Sequence, residues 1–294
     1  MSVMRRNSAE TAAGGFGRIS RGLALSCHPL PTLAVTAISA GLAALAGLSP
    51  SRTTLLVAAV FAGQLSIGWS NDAIDAARDR ASARSDKPVA LGVVPPRVVG
   101  AAAGVALLVA IVLSLLLGLL PGSAALTVVV CGWLYNLGLK ATVLSFVPYA
   151  IAFGTLPAVA TLALPVPVWP AAWAMIAGAL FGVAAHLANV LPDLDDDLEA
   201  GVRGLPHRIG PRATAVACPL LLGAASLVIV LGTGGSSDGA DWWRGVAAVG
   251  VVLLVGAGVM IGVRRPRSRA LFGIVVVTAI SAVVLFAVSG QSLT

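Results

Sequence analysis

Nine apolar stretches of membrane-spanning length run through this chain, near residues 30–49, 53–72, 98–119, 122–138, 144–163, 169–190, 213–232, 244–263 and 269–289. A helix needs about 20 largely apolar residues to cross the hydrocarbon core of a bilayer. Charged residues make up only 11% of the chain and mean hydropathy is +0.96, whereas a soluble domain carries about 25% charge. The expected fold is therefore all-α: a polytopic membrane protein of nine transmembrane helices. Breaks such as Leu120-Pro121-Gly122 and the Pro165–Pro170 stretch separate neighbouring segments, because proline cannot continue a helix interior.

Basic residues fix an orientation, since Lys and Arg collect in cytoplasmic loops. Arg5, Arg6, Arg18 and Arg21 precede the first stretch, and Arg78, Arg80, Arg84, Lys87 and Arg97 lie between the second and third. Lys140, then Arg203, Arg208 and Arg212, then Arg264, Arg265, Arg267 and Arg269 fall in alternate loops further on. Of the 19 basic residues, Arg52 and Arg244 alone belong to the other side. The reading is a protein of the plasma (cytoplasmic) membrane with a cytoplasmic N-terminal segment, residues 1–29, and a single transmembrane domain, residues 30–294, whose C-terminus is external. The first apolar segment reads as an anchor and not as a removed signal peptide. Phe16, Ile19 and Leu23 could form a short interfacial face.

The net charge of +7 then reads as topology and contact with anionic lipid. No basic stretch is interleaved with aromatics as nucleic-acid modules require, so no nucleic-acid partner is expected. Cys27, Cys131 and Cys218 are isolated and read as small core residues.

Against this apolar background the acids are segregated. Asp72, Asp75, Asp79 and Asp86 form one group, and Asp193, Asp195, Asp196, Asp197 and Glu199 another, nine of the 12 acids. Both groups contain Asn-x-x-x-Asp-x-x-x-Asp: Asn71, Asp75 and Asp79, then Asn189, Asp193 and Asp197. Positions i, i+4 and i+8 drift by about 40° per step on a helix, so each triplet lines one stripe. A carboxylate at the bilayer centre costs roughly 2.5–3.5 kcal/mol, which places both stripes at helix ends, facing inward and neutralised. Salt bridging to Arg78, Arg80, Arg84, Lys87, Arg203 and Arg208 would satisfy them. Ion pairing needs no common register, however, whereas Mg²⁺ bridging a diphosphate needs opposed carboxylate stripes with positions left open for phosphate oxygens.

The run Asn71-Asp72-Ala73-Ile74-Asp75-Ala76-Ala77-Arg78-Asp79-Arg80, followed by Asp86-Lys87-Pro88, resembles the first signature of the UbiA superfamily of intramembrane prenyltransferases. Asn189 through Asp197, with Gly201 through Gly210, resembles the second. The resemblance implies a ring of helices around a central cavity open sideways to lipid, binding a prenyl diphosphate through Mg²⁺ and passing the prenyl group to a lipophilic acceptor, aromatic or a quinone precursor. It implies Asn71, Asp75, Asp79, Asn189, Asp193 and Asp197 as Mg²⁺ ligands, and Lys87, Lys140, Arg203 and Arg208 as phosphate holders. Tyr135, in a Tyr-x-x-x-x-Lys run one residue longer than the family's commonest spacing, would stabilise the allylic cation, with Trp69, Trp133 and Tyr149 behind it. Tyr135 could equally be an interfacial residue beside a snorkelling lysine. His28-Pro29 stands where many members carry another basic residue before Pro. His186 could serve the acceptor or only pack, and His207 would support the second signature.

Three other readings compete. A terpene cyclase would use the same metal chemistry without an acceptor. A CDP-alcohol phosphotransferase wants Gly at Ala76 and Ala at Asp79. A transporter or cation-binding protein wants acids near the midplane on broken helices, and here they fall at helix ends.

Overall fold

The computed structural model describes residues 17–82, 87–233, 242–289 and 293–294. Twelve α-helices, with no strand among these residues, build it. They are α1 (Gly17–Ser26), α2 (Pro29–Leu45), α3 (Pro50–Ala81), α4 (Pro96–Leu117), α5 (Leu119–Asn136), α6 (Val147–Thr161), α7 (Ala172–Val190), α8 (Leu194–Glu199), α9 (Leu205–Ile209), α10 (Pro211–Gly232), α11 (Trp242–Arg264) and α12 (Ala270–Ser289). Proline opens α2, α3, α4 and α10, where its fixed φ suits the first turn and its missing N–H is one that a helix start leaves unpaired anyway.

All nine expected segments fold as helices. Among the described residues five helices are long and apolar enough to cross a membrane: α3, α4, α5, α7 continued through Glu199, and α10. A sixth is added if α1 and α2, bent by 63° at their junction, count as one span, while α6 (Val147–Thr161) and, among the described residues, the apolar stretches Ala248–Arg264 of α11 and Ala270–Ala282 of α12 are shorter. This criterion therefore gives five or six spans among the described residues against the nine expected.

The helices pack in sequence, α2 on α3, α3 on α5, α5 on α6, α6 on α7 and α7 on α10, and the series closes because α12 returns to α2. Two apolar cores follow. One joins α2, α3, α5 and α6 around Leu56, Val128 and Leu156; the other joins α7, α10 and α12 around Leu187, Leu222 and Leu271. Between them lies a cavity of about 170 Å³, lined from α2, α3, α5, α6, α7 and α12.

α1 differs from expectation. Phe16 lies outside the described residues, Ile19 is exposed, and Leu23 turns inward onto a small core with Trp69, Val89, Val94 and Val99. The Trp69 indole N–H donates to Leu23 O at 2.8 Å, so α1 is tied to α3 on that face. Cys27, Cys131 and Cys218 are free and buried.

Candidate active site

Helix α3 runs past the predicted end of its segment to Ala81, and Asn71, Asp75 and Asp79 therefore sit on one unbroken helix. Asp72, Asp75 and Asp79 are 2%, 4% and 5% exposed. Carboxylates so buried must be neutralised, and each is. Lys140 Nζ donates to Asp75 Oδ1 at 2.7 Å, and Arg78 Nη2 lies 2.7 Å from Asp75 Oδ2. Lys87 Nζ bridges Asp72 at 3.2 Å and Asp79 at 2.9 Å, and His28 Nε2 lies 3.0 Å from Asp72 Oδ1. Three buried acids thus face three permanent cations and one histidine. Burial alone would lower the Lys87 pKa, but the carboxylates of Asp72 and Asp79 outweigh it and hold the ammonium above its ordinary range. At Lys140 burial wins over Asp75, and the pKa is lowered. Asp86 and Arg84 lie outside the described residues.

Asn71 is fixed by a neighbour that the spacing argument passed over. Asn136 spends its amide N–H groups on Ile67 O (2.9 Å) and Ser70 Oγ (2.8 Å), so its oxygen accepts from Asn71 Nδ2 at 3.1 Å. Asn71 lines the cavity, where its amide oxygen can accept a hydrogen bond or coordinate a cation.

The second triplet departs from a single stripe. Asn189 ends α7, Asp193 lies in the 3₁₀ turn Leu191–Asp193, and Asp197 is on α8. Pro192 causes the break, because it has no N–H for the carbonyl four residues earlier. Asn189 is exposed to the cavity, while Asp193 and Asp197 are half-buried beyond it. His207 Nε2 stands 3.6 Å from Asp197 Oδ2, outside hydrogen-bonding reach, and Arg267 pairs with Asp195 at 2.8 Å. Arg203 and Arg208 are exposed, the Arg208 Nε–H donating to Arg203 O at 3.0 Å. The loop that carries them is pinned at Leu205, whose N–H donates to Ser145 Oγ at 3.0 Å. Gly204 allows this approach, since a Cβ there would lie 2.5 Å from Lys140 O.

Tyr135 lines the cavity and meets Tyr149 edge-on, centroids 5.2 Å apart at 78°. Both rings also contact His186, at 5.6 and 5.1 Å, whose Nε2 is 3.0 Å from Ser145 Oγ. Trp69 and Trp133 do not join this group. Their indole N–H groups are spent on Leu23 O and Ser66 Oγ, each at 2.8 Å, and of the weaker candidates for the aromatic role Tyr149 lines the cavity while these two do not. His28 does line it, from the junction of α1 and α2, and is the non-glycine residue with positive φ (53°) among the described residues.

An apolar cavity beneath a cation-balanced carboxylate cluster agrees with the family resemblance, and comparison of the whole chain decides it: a model of the UbiA prenyltransferase family matches residues 32–274. The chain belongs to the UbiA prenyltransferase family. It is accordingly an integral membrane enzyme of that family. No curated protein matches it in sequence. Among solved structures, a UbiA homolog from Archaeoglobus fulgidus bound to DMAPP and Mg²⁺ superposes with a TM-score of 0.67 at 15% identity, over 91% of this chain and 99% of that one. The apo UbiA homolog from Aeropyrum pernix K1 gives 0.67 at 17% identity, over 86% and 96%. At such identity these likenesses establish the UbiA fold, including a ring of helices around a central cavity.

Among the described residues no three His, Cys, Asp or Glu side chains form a ready-made ion cage. The donor chemistry nevertheless fits Mg²⁺, which takes hard oxygen ligands and is usually held by one or two carboxylates plus substrate phosphates.

Proposed function

We propose that this chain transfers the prenyl group of a prenyl diphosphate to a lipophilic acceptor, aromatic or a quinone precursor, forming a C–C or C–O bond and releasing diphosphate. The observation that carries this reading is the buried Asp75 carboxylate, held by Lys140 and Arg78 about one helical turn beyond Asn71, which lines the largely apolar cavity. Asn71, Asp75 and Asp79, with Asn189, Asp193 and Asp197, would hold Mg²⁺. A Mg²⁺ ion held there would supply positive charge to offset that of the departing diphosphate. The A. fulgidus homolog, solved with DMAPP and Mg²⁺ and with GPP and Mg²⁺, supports this use of the fold.

The protein groups act around that charge. Lys87 and Lys140, now on carboxylates, exchange these partners for phosphate oxygens when the donor enters, so the buried charge stays balanced in both states. Arg203 and Arg208 close over the phosphates from the exposed loop. The Tyr135 ring, fixed by Tyr149 and His186, offers its face where the allylic carbon turns positive. Residues 30–294 work as one catalytic domain in the cytoplasmic membrane.

The test is product analysis by mass spectrometry on purified protein given prenyl diphosphates and membrane lipid extract. Turnover is expected to require Mg²⁺, and Asp75→Asn is expected to lower it by about 10²–10³, the range for loss of one preorganised electrostatic contact. Undiminished turnover in chelator would overturn the reading.

A further inference from the structure

The loop that carries Arg203 and Arg208 is hinged at both ends and tethered in the middle. Gly201 and Gly210 bound it with φ of 80° and 84°, a backbone that glycine adopts without strain. Between them the Leu205 N–H donates to Ser145 Oγ at 3.0 Å. Ser145 is wholly buried in the connection between α5 and α6, and Gly204 permits the approach, since a Cβ there would lie 2.9 Å from the hydroxyl oxygen. The same hydroxyl has a second partner. His186 Nε2, on a side chain also wholly buried, is 3.0 Å away. Having accepted from Leu205, the hydroxyl still has its own proton to give, and Nε2 accepts it. The proton of the neutral ring then sits on Nδ1, a nitrogen with no hydrogen-bond partner. Against His186 stand the rings of Tyr135 and Tyr149, at 5.6 and 5.1 Å. These two line the cavity, whereas Ser145 and His186 do not. Backbone amide, hydroxyl, imidazole and phenol rings thus form one line from the loop to the cavity wall.

We infer that Ser145 and His186 are positioning residues that couple the loop of Arg203 and Arg208 to the Tyr135–Tyr149 pair, so that seating a diphosphate under the loop tightens the hold on the ring that meets the allylic carbon. The inference rests on the prenyl-diphosphate reading above. With a glycine hinge at each end, the loop pivots about its tether, and a pull on Arg203 or Arg208 reaches the Leu205 N–H between them. The two hydrogen bonds share one oxygen and run in one direction, N–H to O–H to N, so each polarises the next. Strengthening or lengthening the first therefore does the same to the second. His186 has no other hydrogen bond among the described residues, so without Ser145 its ring is held only by packing against the two phenols. Neither residue reaches the cavity, and both act on the reaction through the rings that do. A donor whose diphosphate is not clamped by the loop meets a less firmly held ring.

The chain has two tyrosines, Tyr135 and Tyr149, so meta-fluorotyrosine labels this ring pair and nothing else, and fluorine NMR of the purified full-length protein reads it directly. The probe is inorganic diphosphate with Mg²⁺, which has no prenyl group to lay against the rings. In the wild type, saturating diphosphate is expected to shift both resonances. Ser145→Ala removes both hydrogen bonds, and His186→Phe keeps a ring of similar size without its nitrogens. Each variant is expected to bind diphosphate within about tenfold of wild type, the range for one lost hydrogen bond, and to lose the shift. A shift that persists in either variant with diphosphate bound, no shift in a wild type that binds it, or loss of diphosphate binding in both variants would overturn the coupling. Failure of the wild type to bind diphosphate at all would instead bring down the prenyl-diphosphate reading itself.

Discussion

Tyr135 is held from two sides, by the edge of Tyr149 at 5.2 Å and by His186 at 5.6 Å, and His186 is in turn anchored on Ser145. A ring so fixed has its face set before the substrate arrives. A desolvated cation–π contact is worth about 2 kcal/mol, or about thirtyfold in rate. Tyr135→Phe keeps the face and should retain most of the turnover, whereas Tyr135→Ala should lose about that factor. Binding of a non-ionisable diphosphate analogue should be unchanged in both, because a contact made mainly in the transition state does not weaken ground-state binding; equal losses in Phe and Ala would assign the role to the hydroxyl. At this scale the repeated Asn and Asp spacing marked the site's acids before any coordinates, because few acids in an apolar chain leave few places to look. The partners were less visible. Asn136 and Ser145 are single polar residues whose role depends on which helix faces them, and the Asp72 to His28 contact spans 44 positions. Polar side chains within apolar helices were the one available signal.

Helices α6 and α7 meet through Gly178 and Gly182, four residues apart, where a Cβ would lie 2.5 Å from Phe153 O and 2.3 Å from Tyr149 O. Small residues at this spacing let two backbones approach closely in a membrane. The obstacle at Gly182 is backbone, so no side chain can yield, and Gly182→Ala should cost about 1–3 kcal/mol, the usual range for overpacking. Gly104→Ala on α4, with nothing within 4 Å of the new methyl, is the control and should be close to neutral. Thermal unfolding in detergent compares them; equal melting temperatures would mean that α6 does not rest on α7 as described. Hydropathy located the long helices of the described residues because length and apolarity survive any tertiary context. It did not extend the second segment into α3 as far as Ala81, since charged residues there lower the local hydropathy while the ion pairs to Lys87, Lys140 and Arg78 hold the helix intact. Nor did the regular spacing of Asn189, Asp193 and Asp197 reveal that Pro192 would divide them among a helix, a 3₁₀ turn and a second helix, although proline at that position was the cue.

Across the whole molecule, charge is distributed by end. The carboxylate cluster, Lys87, Lys140, Arg203, Arg208 and the loop at Arg265 share one end of the ring, while Arg52 sits at the other, its Nε and Nη2 donating to Ala163 O and Leu117 O at 2.7 Å each. Those carbonyls close the C-terminal ends of helices, where a cation is favoured, so Arg52 is spent on the fold and adds little to the basic signal of its side. On the Lys and Arg bias the carboxylate end is expected to face the cytoplasm. The position of the C-terminus depends on how many helices cross. Nine crossings, an odd number, put the two ends of the chain on opposite faces, whereas six, with α6, α11 and α12 failing to span, would put them on the same face. If all nine helices cross, a reporter fused after Thr294 is expected to report an external location, and one inserted within residues 198–211 a cytoplasmic one. A cytoplasmic signal from both would keep the orientation but reduce the crossings to an even number, and an external signal from the 198–211 insertion would invert the whole arrangement.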